Sequence, residues 1–505
     1  MKLCTLFQNI STLGIFNDEQ TLQIEVSGIA YDSRAVEPGT LFVARRGTHV
    51  DGHNFLEAAV QRGACAIVAQ YVPSGITLPP SVPVILVPDS GIALADLAST
   101  FYGHPSRHMR VIGITGTAGK TTTTNLISKV LDGTGHSNGL MSTLNFKIGD
   151  RVWDNNTRQS TLEALEIQRM LSEIRQQSIE YAVLETTSHA LILNRVRGVE
   201  YDVAVITNLT SEHLDFHKTR AAYWRAKACL FERLGTGLDK GFGKSAVLNA
   251  DDHSYAYLLP FCTVPMLTYG IDCTADFQAH DLQLDNYGSR FRLSTPDGIW
   301  EVRTRLFGRF NVYNCLAALA VGYSQHLPIN TMIEALSAIP GIGGRLERIE
   351  CGQPFTVMVD YAHTPDSLQK VLQMLRSLTK ERLIVVFGLS GERDTSHRRA
   401  MGAIATQLAD FAIFTTDDPR EEDPQKIIAQ IAAGAMQMGG KEGYTYFQQP
   451  DRRAAIASAF QLARSGDIVL LAGKGHEQVM LIGRERIPWN DRKVARELLD
   501  HAEKS

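Results

Sequence analysis

Short apolar runs rich in β-branched residues recur at Val111 to Thr115, Tyr181 to Glu185, Val203 to Thr207, Ala246 to Asn249, Phe355 to Asp360, Leu383 to Gly388, Phe411 to Asp417 and Ile468 to Gly473. Runs of this length and composition predict buried strands. Between many of them the apolar positions fall at helical spacing: Leu126, Ile127, Val130 and Leu131 share one face, as do Leu162, Leu165, Met170, Leu171 and Ile174. Strands alternating with helices predict an α/β chain built on parallel sheets. Most of the runs end in polar or glycine residues, and open α/β sheets bind ligands beyond the carboxyl ends of their strands.

Two turn clusters, Gly103-His104-Pro105-Ser106 and Pro340-Gly341-Ile342-Gly343-Gly344, divide the chain into expected domains 1–105, 106–340 and 341–505. The first is poor in helical periodicity and carries the proline-rich stretch LPPSVPVILVP, so a small α/β module is expected there. A length of 505 residues suits about three domains. Apolar residues at 44% and charged residues at 21% describe an ordinary folded chain and exclude disordered, collagen-like and coiled-coil classes. No fixed-period repeat is visible.

The 50 basic and 54 acidic side chains leave a formal net charge of -4, so no global positive field gathers nucleic acid or an anionic membrane; a local phosphate site stays open. Seven scattered cysteines (Cys4, Cys65, Cys229, Cys262, Cys273, Cys315 and Cys351) contain no CxxC pair and read as reduced, mostly buried thiols. The amino-terminal stretch is broken by Gln8, Asn9, Ser11 and Thr12, unlike a signal peptide. No segment approaches the roughly 18 apolar residues of a membrane span. A soluble protein of the reducing cytoplasm is expected.

The strongest local signal is the run from Val111 through Ile-Gly-Ile-Thr-Gly-Thr-Ala-Gly-Lys-Thr-Thr, a strand breaking into a glycine turn that opens a helix. In such a loop the backbone of Gly116, Thr117, Ala118 and Gly119 converges on phosphate oxygens, Lys120 adds a point charge, and Thr121, followed by Thr122, offers a hydroxyl to Mg²⁺. Ile114 stands where the strict pattern has glycine, so this is a variant phosphate loop. A chance glycine turn is the bland alternative. The loop alone leaves open whether the nucleotide drives motion, signalling or chemistry.

Downstream come Glu185-Thr-Thr-Ser-His-Ala-Leu, Thr207-Asn-Leu-Thr-Ser-Glu-His-Leu-Asp-Phe-His, Ala226-Lys-Ala-Cys-Leu-Phe, Gly308-Arg-Phe-Asn-Val-Tyr-Asn, Gly344-Arg-Leu-Glu-Arg, Asp360-Tyr-Ala-His-Thr-Pro-Asp and Gly473-Lys-Gly-His-Glu. With the phosphate loop, this series resembles the ATP-dependent Mur ligases of bacterial peptidoglycan synthesis, in order and over essentially the whole chain. The segment from Tyr31 through Asp-Ser-Arg-Ala-Val-Glu-Pro-Gly-Thr-Leu-Phe is similar to members that add the third amino acid; folate-polyglutamate synthetases share the ATPase core but lack it. The resemblance implies three α/β domains: a small uridine-nucleotide domain, a central phosphate-loop ATPase with a mostly parallel sheet, and a Rossmann-like domain that binds the amino acid.

It also implies a reaction. ATP phosphorylates the carboxylate of UDP-N-acetylmuramoyl-L-alanyl-D-glutamate, and an amine of meso-2,6-diaminopimelate attacks the acyl phosphate to form an amide. The anionic partners repel one another, so cations and positioning carry the catalysis. By resemblance Lys120 serves the ATP phosphates, Thr121 and Glu185 hold one Mg²⁺, and His213 joins a second. The resemblance also implies that Lys227 is carboxylated by CO₂ to a carbamate that positions metal. Asn311 reads adenine, Arg345 phosphate and Asp360 ribose. The uridine nucleotide contacts Tyr31, Ser33, Thr48 and His49, and the muramoyl-dipeptide tail runs past Ser160, Thr161, Thr187 and Arg195. Blander readings are a surface histidine at 213, an exposed helix lysine at 227 and a surface Arg345–Glu347 pair. The chain departs from the family in reading Ser160-Thr-Leu-Glu for TTPE and Thr187-Ser-His for SSH, although hydroxyls survive at both places.

Specificity turns on Asp417-Asp418-Pro419-Arg420. Diaminopimelate-adding members read DNPR there, and the arginine grips a distal carboxylate that lysine lacks. Arg393, Gly473 and Glu477 match the remaining contacts, with Glu477 accepting the distal ammonium. Asp418 replaces the motif's asparagine; its added charge favours a cationic amine, or it belongs to a turn. His397-Arg398-Arg399 stands where relatives read Lys-Arg-Pro. Lysine as the added amino acid, folate-type polyglutamylation and a nucleotide-gated module without ligase chemistry remain rivals. A monomer is expected.

Overall fold

All eight apolar runs form strands, and these lie in two of three mostly parallel sheets. The computed structural model describes residues 1–8, 10–16, 23–47, 50–157, 159–210, 212, 214–285 and 287–502. Of the expected site residues, Thr48, His49 and His213 lie outside the described residues. The chain forms two units: Met1–His280 with Leu293–Trp300 and Tyr313–Leu336, and Asp281–Arg292 with Glu301–Val312 and Ser337–Ser505.

In the first unit a five-stranded sheet runs in the order Gly14–Phe16, Val84–Leu86, Ala66–Ala69, Thr40–Val43, Gly28–Ala30; its edge strand Gly14–Phe16 is antiparallel and the rest are parallel. This segment is more helical than its pattern predicts. The helix Ser90–Phe101 buries Ala93, Leu94, Leu97 and Ala98, and Asp89 caps it by accepting the amides of Gly91 (2.8 Å) and Ile92 (2.9 Å). Its alanine- and serine-rich face hides the period.

The central sheet has eleven strands. Its phosphate-loop strand Arg110–Thr115 lies between Tyr181–Glu185 and Val203–Ile206, parallel to both. From it the chain steps to Asn138–Met141 on one side, returns to Tyr181–Glu185, then crosses to Val203–Ile206 on the other. That reversal opens a crevice beyond Thr115. The helix Lys120–Gly133 buries Leu126, Ile127, Val130 and Leu131 as the spacing predicts. Leu162 is buried but precedes the helix Ala164–Gln176, so it does not share that helical face. The strands Met266–Gly270, Phe277–Asp285, Gly288–Thr295 and Gly298–Thr304 extend the sheet without a continuous apolar run, because much of their surface stays open to solvent.

The second unit holds a six-stranded sheet, parallel except for its edge strand Glu347–Ile349. The strand Phe411–Phe414 stops before the predicted Asp417, since the carboxylates that follow turn toward a buried lysine. All seven cysteines are free, but the expectation that most are buried fails: Cys315 alone of the seven is buried, Cys273 is exposed, and the others are partly accessible.

Asp251, just past the strand Ser245–Asn249, knits the first unit together. Its Oδ2 accepts from the Ile271 amide (2.6 Å), the Asp272 amide (2.9 Å) and the Tyr313 hydroxyl (2.7 Å), and its Oδ1 from the Cys273 amide (2.6 Å). Burial alone would raise this carboxyl, but those donors outweigh it and hold it at about 2 against an ordinary 3.8. A depressed folded-state pKa gives stability that is present above the unfolded value and lost as pH falls through the folded one. Asp251→Asn is therefore expected to melt below the wild type at pH 7, with the gap closing between pH 5 and pH 2. A gap independent of pH would contradict this account.

Candidate active site

Sterics demand glycine at both ends of the loop that follows Arg110–Thr115. Gly116 has φ 144°, and a Cβ there would stand 1.8 Å from the Thr207 hydroxyl; Gly119 has φ 84°, and its Cβ would stand 2.6 Å from Asn314 Oδ1. A neighbouring segment fixes the backbone between them. The Thr117 amide donates to Asn208 O (2.8 Å), the Ala118 amide to Asn208 Oδ1 (3.0 Å), and Thr207 Oγ1 to Ala118 O (2.6 Å). Sequence reading assigned neither Thr207 nor Asn208 to the loop, although both sit in the motif that leads to His213.

Within this frame Lys120 Nζ donates to Thr117 O at 2.7 Å, while Thr122 packs inward. Thr121 Oγ1 donates to Glu185 Oε1 at 3.1 Å, and the Thr143 amide donates to the other carboxylate oxygen at 2.9 Å. Glu185 closes its strand and is only 2% exposed. Lys227 overturns its bland reading. On the helix Arg220–Thr236 it is 1% exposed, donates to Gly116 O at 2.6 Å, and lies 4.7 Å from the centre of the Tyr223 ring. Burial drives its pKa well below the ordinary value, and the charge of Lys120 pushes the same way against Glu212 and Glu185. The Tyr223 hydroxyl meets Thr117 Oγ1 at 2.9 Å, a second loop support that the motifs do not announce.

The expected tail residues join this group. Thr161 Oγ1 donates to Glu185 O (2.7 Å) and lies 3.2 Å from Thr187 Oγ1, and Arg195 donates to Thr161 O (3.2 Å). Ser160 is half-buried beside them. Glu163, buried, accepts Arg195 at 2.9 Å and also pairs with Arg45 of the first sheet's segment. Arg45 in turn lies over the Tyr31 ring, 5.3 Å from its centre, and the Tyr31 hydroxyl donates to Glu166 at 3.0 Å. Ser33 begins the short turn Ser33–Ala35 next to Tyr31. Arg45, Glu163 and Glu166 thus link the expected uridine and dipeptide residues, a connection that no local pattern reveals.

In the second unit the strands Thr356–Asp360, Ile468–Ala472, Leu383–Phe387 and Phe411–Phe414 direct their carboxyl ends to one edge. There both oxygens of Asp360 accept amides, from Leu346 and Ala362 at 2.8 Å each, and burial raises its pKa. Arg345 lies 4.8 Å from the centre of the Tyr361 ring. Asn311 is buried and donates to Phe307 O at 2.9 Å. His476, its ring tilted 55° to that of Tyr361 with centres 4.9 Å apart, is pushed down to about 3 by burial, with Arg345 and Arg492 adding to the shift.

Asp417, Asp418 and Glu477 surround Lys474, which is fully buried. Its Nζ stands 3.3 Å from Asp417, 2.6 Å from Asp418 and 2.9 Å from Glu477. Burial pulls this ammonium's pKa down, but the three carboxylates outweigh it and hold it above the usual lysine range; burial raises the Glu477 carboxyl. Gly473, at φ 101°, keeps clear of Asp417, because a Cβ there would approach Oδ2 to 2.8 Å. Pro419 is buried, and the Arg420 guanidinium is half-buried, 3.6 Å from Glu392. Arg393 stands exposed on the loop before the helix Ser396–Leu408.

Family models match three stretches: a Mur ligase family catalytic domain at residues 25–102, a Mur ligase middle domain at 114–322, and a Mur ligase glutamate ligase domain at 344–475. The UDP-N-acetylmuramyl-tripeptide synthetase of Roseiflexus sp. (strain RS-1) is 48% identical over 483 residues, covering 94% of each chain. The chain belongs to the Mur ligase family. Its members are ATP-dependent ligases that form amide bonds, and this Mur ligase is an enzyme of peptidoglycan precursor synthesis. A nucleotide-gated module without ligase chemistry is thereby excluded. The UDP-N-acetylmuramoyl-L-alanyl-D-glutamate--2,6-diaminopimelate ligase of Geobacillus kaustophilus (strain HTA426) is 42% identical over 496 residues, covering 98% of this Mur ligase and 99% of the relative. A solved structure of a ligase of that same name covers 100% of both chains with TM-score 0.69 at 30% identity. MurF from Acinetobacter baumannii shares the fold at TM-score 0.66 and 20% identity, over 99% and 98% of the two chains. Among the described residues no helix is long and apolar enough to cross a membrane.

Proposed function

We propose that this Mur ligase adds meso-2,6-diaminopimelate to UDP-N-acetylmuramoyl-L-alanyl-D-glutamate, with ATP converted to ADP and phosphate through an acyl phosphate. The observation that carries the reading is the half-buried Arg420 guanidinium in the same turn as Asp417 and Asp418, two members of a cluster whose carboxylates outnumber its ammonium three to one. A cation suits a distal carboxylate, and the excess of anions suits an ammonium. The Geobacillus relative bears the name of a 2,6-diaminopimelate ligase, whereas the Roseiflexus relative's name, a tripeptide synthetase, specifies no amino acid. One observation favours lysine instead: Asp418 adds negative charge where the diaminopimelate motif has a neutral amide.

In this reading domain 1–105 takes the uridine nucleotide, 106–340 takes ATP and 341–505 takes the amino acid. Tyr31, Ser33, Thr48 and His49 hold the nucleotide end of the acceptor, and Ser160, Thr161, Thr187 and Arg195 hold its peptide, whose carboxylate must approach ATP in line. Lys120 and the helix-start amides of Gly119 to Thr122 bind the phosphates and meet the charge that builds on the transferring phosphoryl group, while Asn208 keeps the Thr117 and Ala118 amides and so shapes the loop. Asn311, Arg345 and Asp360 serve adenine, phosphate and ribose. Thr121 and Glu185 make a buried, oxygen-only pair that fits a hard cation, and His213 would join a second. Bound there, Mg²⁺ offsets the negative charge that ATP and the acceptor share.

Lys227 fits carboxylation because burial favours its uncharged amine, the form that adds CO₂: an N–C bond forms and one proton leaves. Gly473, Glu477 and Asp417 surround the amino acid's ammonium, while Arg393 and Arg420 take its carboxylates. The enzyme works in the cytoplasm as a monomer. The test is ADP release with each substrate omitted in turn. Release that needs both the UDP-muramoyl-dipeptide and diaminopimelate, with a product heavier by one diaminopimelate residue, is expected; release with ATP alone would sink the reading.

A further inference from the structure

We propose that Asp418 is a positioning residue, which together with Lys474 fastens the hairpin Val479–Ile482/Glu485–Pro488 to the turn Asp417–Arg420 and so aims the Arg420 guanidinium. The proposal rests on the reading that Arg420 grips the amino acid's distal carboxylate. It departs from the expectation that Asp418 itself touches substrate.

The hairpin's first strand is held at two points by this pair. Lys474 Nζ donates to Val479 O at 2.8 Å, and Asp418 Oδ1 accepts from the Leu481 amide at 2.9 Å while also taking Lys474 at 2.6 Å. Asp418 is 3% exposed, so this carboxylate is committed inside the protein. Two residues on, the Arg420 amide donates to Leu481 O at 3.1 Å and the Gly483 amide donates to Arg420 O at 2.8 Å, a parallel bridge between Arg420 and Ile482. Leu481 is therefore gripped from both sides, by Asp418 through its N–H and by Arg420 through its carbonyl. Arg420 also has φ 53°, in the left-handed region that non-glycine residues avoid unless neighbouring contacts impose it. Those contacts are the hairpin bonds. If the hairpin drifts, the backbone that orients the guanidinium drifts with it.

Charge divides the work. Lys474 answers one of three carboxylates, and Asp418 lies closest to its ammonium. Asp417 and Glu477 are then left with surplus negative charge for an incoming ammonium. Removing Asp418 does not strand Lys474, which keeps two carboxylates, so the fold should survive.

Two variants separate positioning from contact. Asn keeps an oxygen for the Leu481 amide, whereas Ala does not. Asp418→Asn is expected to keep the diaminopimelate-to-lysine ratio of kcat/KM within about threefold of wild type, since its hydrogen bond survives. Asp418→Ala should lower that ratio by about tenfold or more, with KM for ATP and for the UDP-muramoyl-dipeptide unchanged. Deuterium exchange of the peptide spanning 479–488 should quicken in Asp418→Ala and not in Asp418→Asn. Direct contact with the substrate ammonium would give the opposite pattern: both variants would raise KM equally for either amino acid with hairpin exchange unchanged. That result, or no change in either variant, overturns the proposal. A wild type that uses lysine and refuses diaminopimelate would defeat the reading of Arg420 instead. Hairpin exchange then decides alone, upholding the fastening if Asp418→Ala quickens it and overturning it if not.

Discussion

Lys120→Ala is expected to cut ADP release by about 10³-fold while leaving the melting temperature within about 2 °C of wild type. The side chain is half-buried and its bond to Thr117 O, at 2.7 Å, is local, so little stability depends on it. Its catalytic burden is larger. Phosphoryl transfer between two anions gains most from a cation fixed where charge builds, and the loop that presents Lys120 is held by Asn208, Thr207 and Tyr223 independently of that lysine. Lys120→Arg should recover little, because a planar fork does not replace a compact ammonium. A loss below about tenfold in the alanine variant would mean that Lys120 does not meet the transferring phosphate.

The second large effect is at Arg420. Because its φ of 53° favours residues that tolerate the left-handed region, Arg420→Asn removes the guanidinium with the least disturbance of the turn. In that variant kcat/KM for diaminopimelate should fall by about 10² to 10³, because an unmatched distal carboxylate would lose a charge-assisted pair. The value for lysine, which has no such carboxylate, should barely move. Equal losses with both amino acids would place Arg420 in general support of the turn and not in discrimination.

Much of this was legible in the residues. The phosphate loop could be read because its glycines answer a local steric demand: no other residue fits at Gly116 with the Thr207 hydroxyl so close. The parallel strands could be read because burial on both faces leaves continuous apolar runs. What escaped was non-local or half-exposed. The strands from Met266 to Thr304 leave many positions open between buried ones and so leave no run to notice. The Arg45–Glu163–Arg195 linkage joins residues more than a hundred positions apart, and the Lys474 hub depends on a turn and a loop meeting across a sheet edge. Cysteine burial was misjudged because composition says nothing about which face a given thiol takes.

The most direct test of the whole account is a competition. Enzyme, ATP, Mg²⁺ and the UDP-muramoyl-dipeptide are supplied with equimolar meso-diaminopimelate and lysine, and the tripeptide products are separated by mass. The account predicts that diaminopimelate product exceeds lysine product by about 10²-fold or more. Comparable amounts, or an excess of the lysine product, would contradict it.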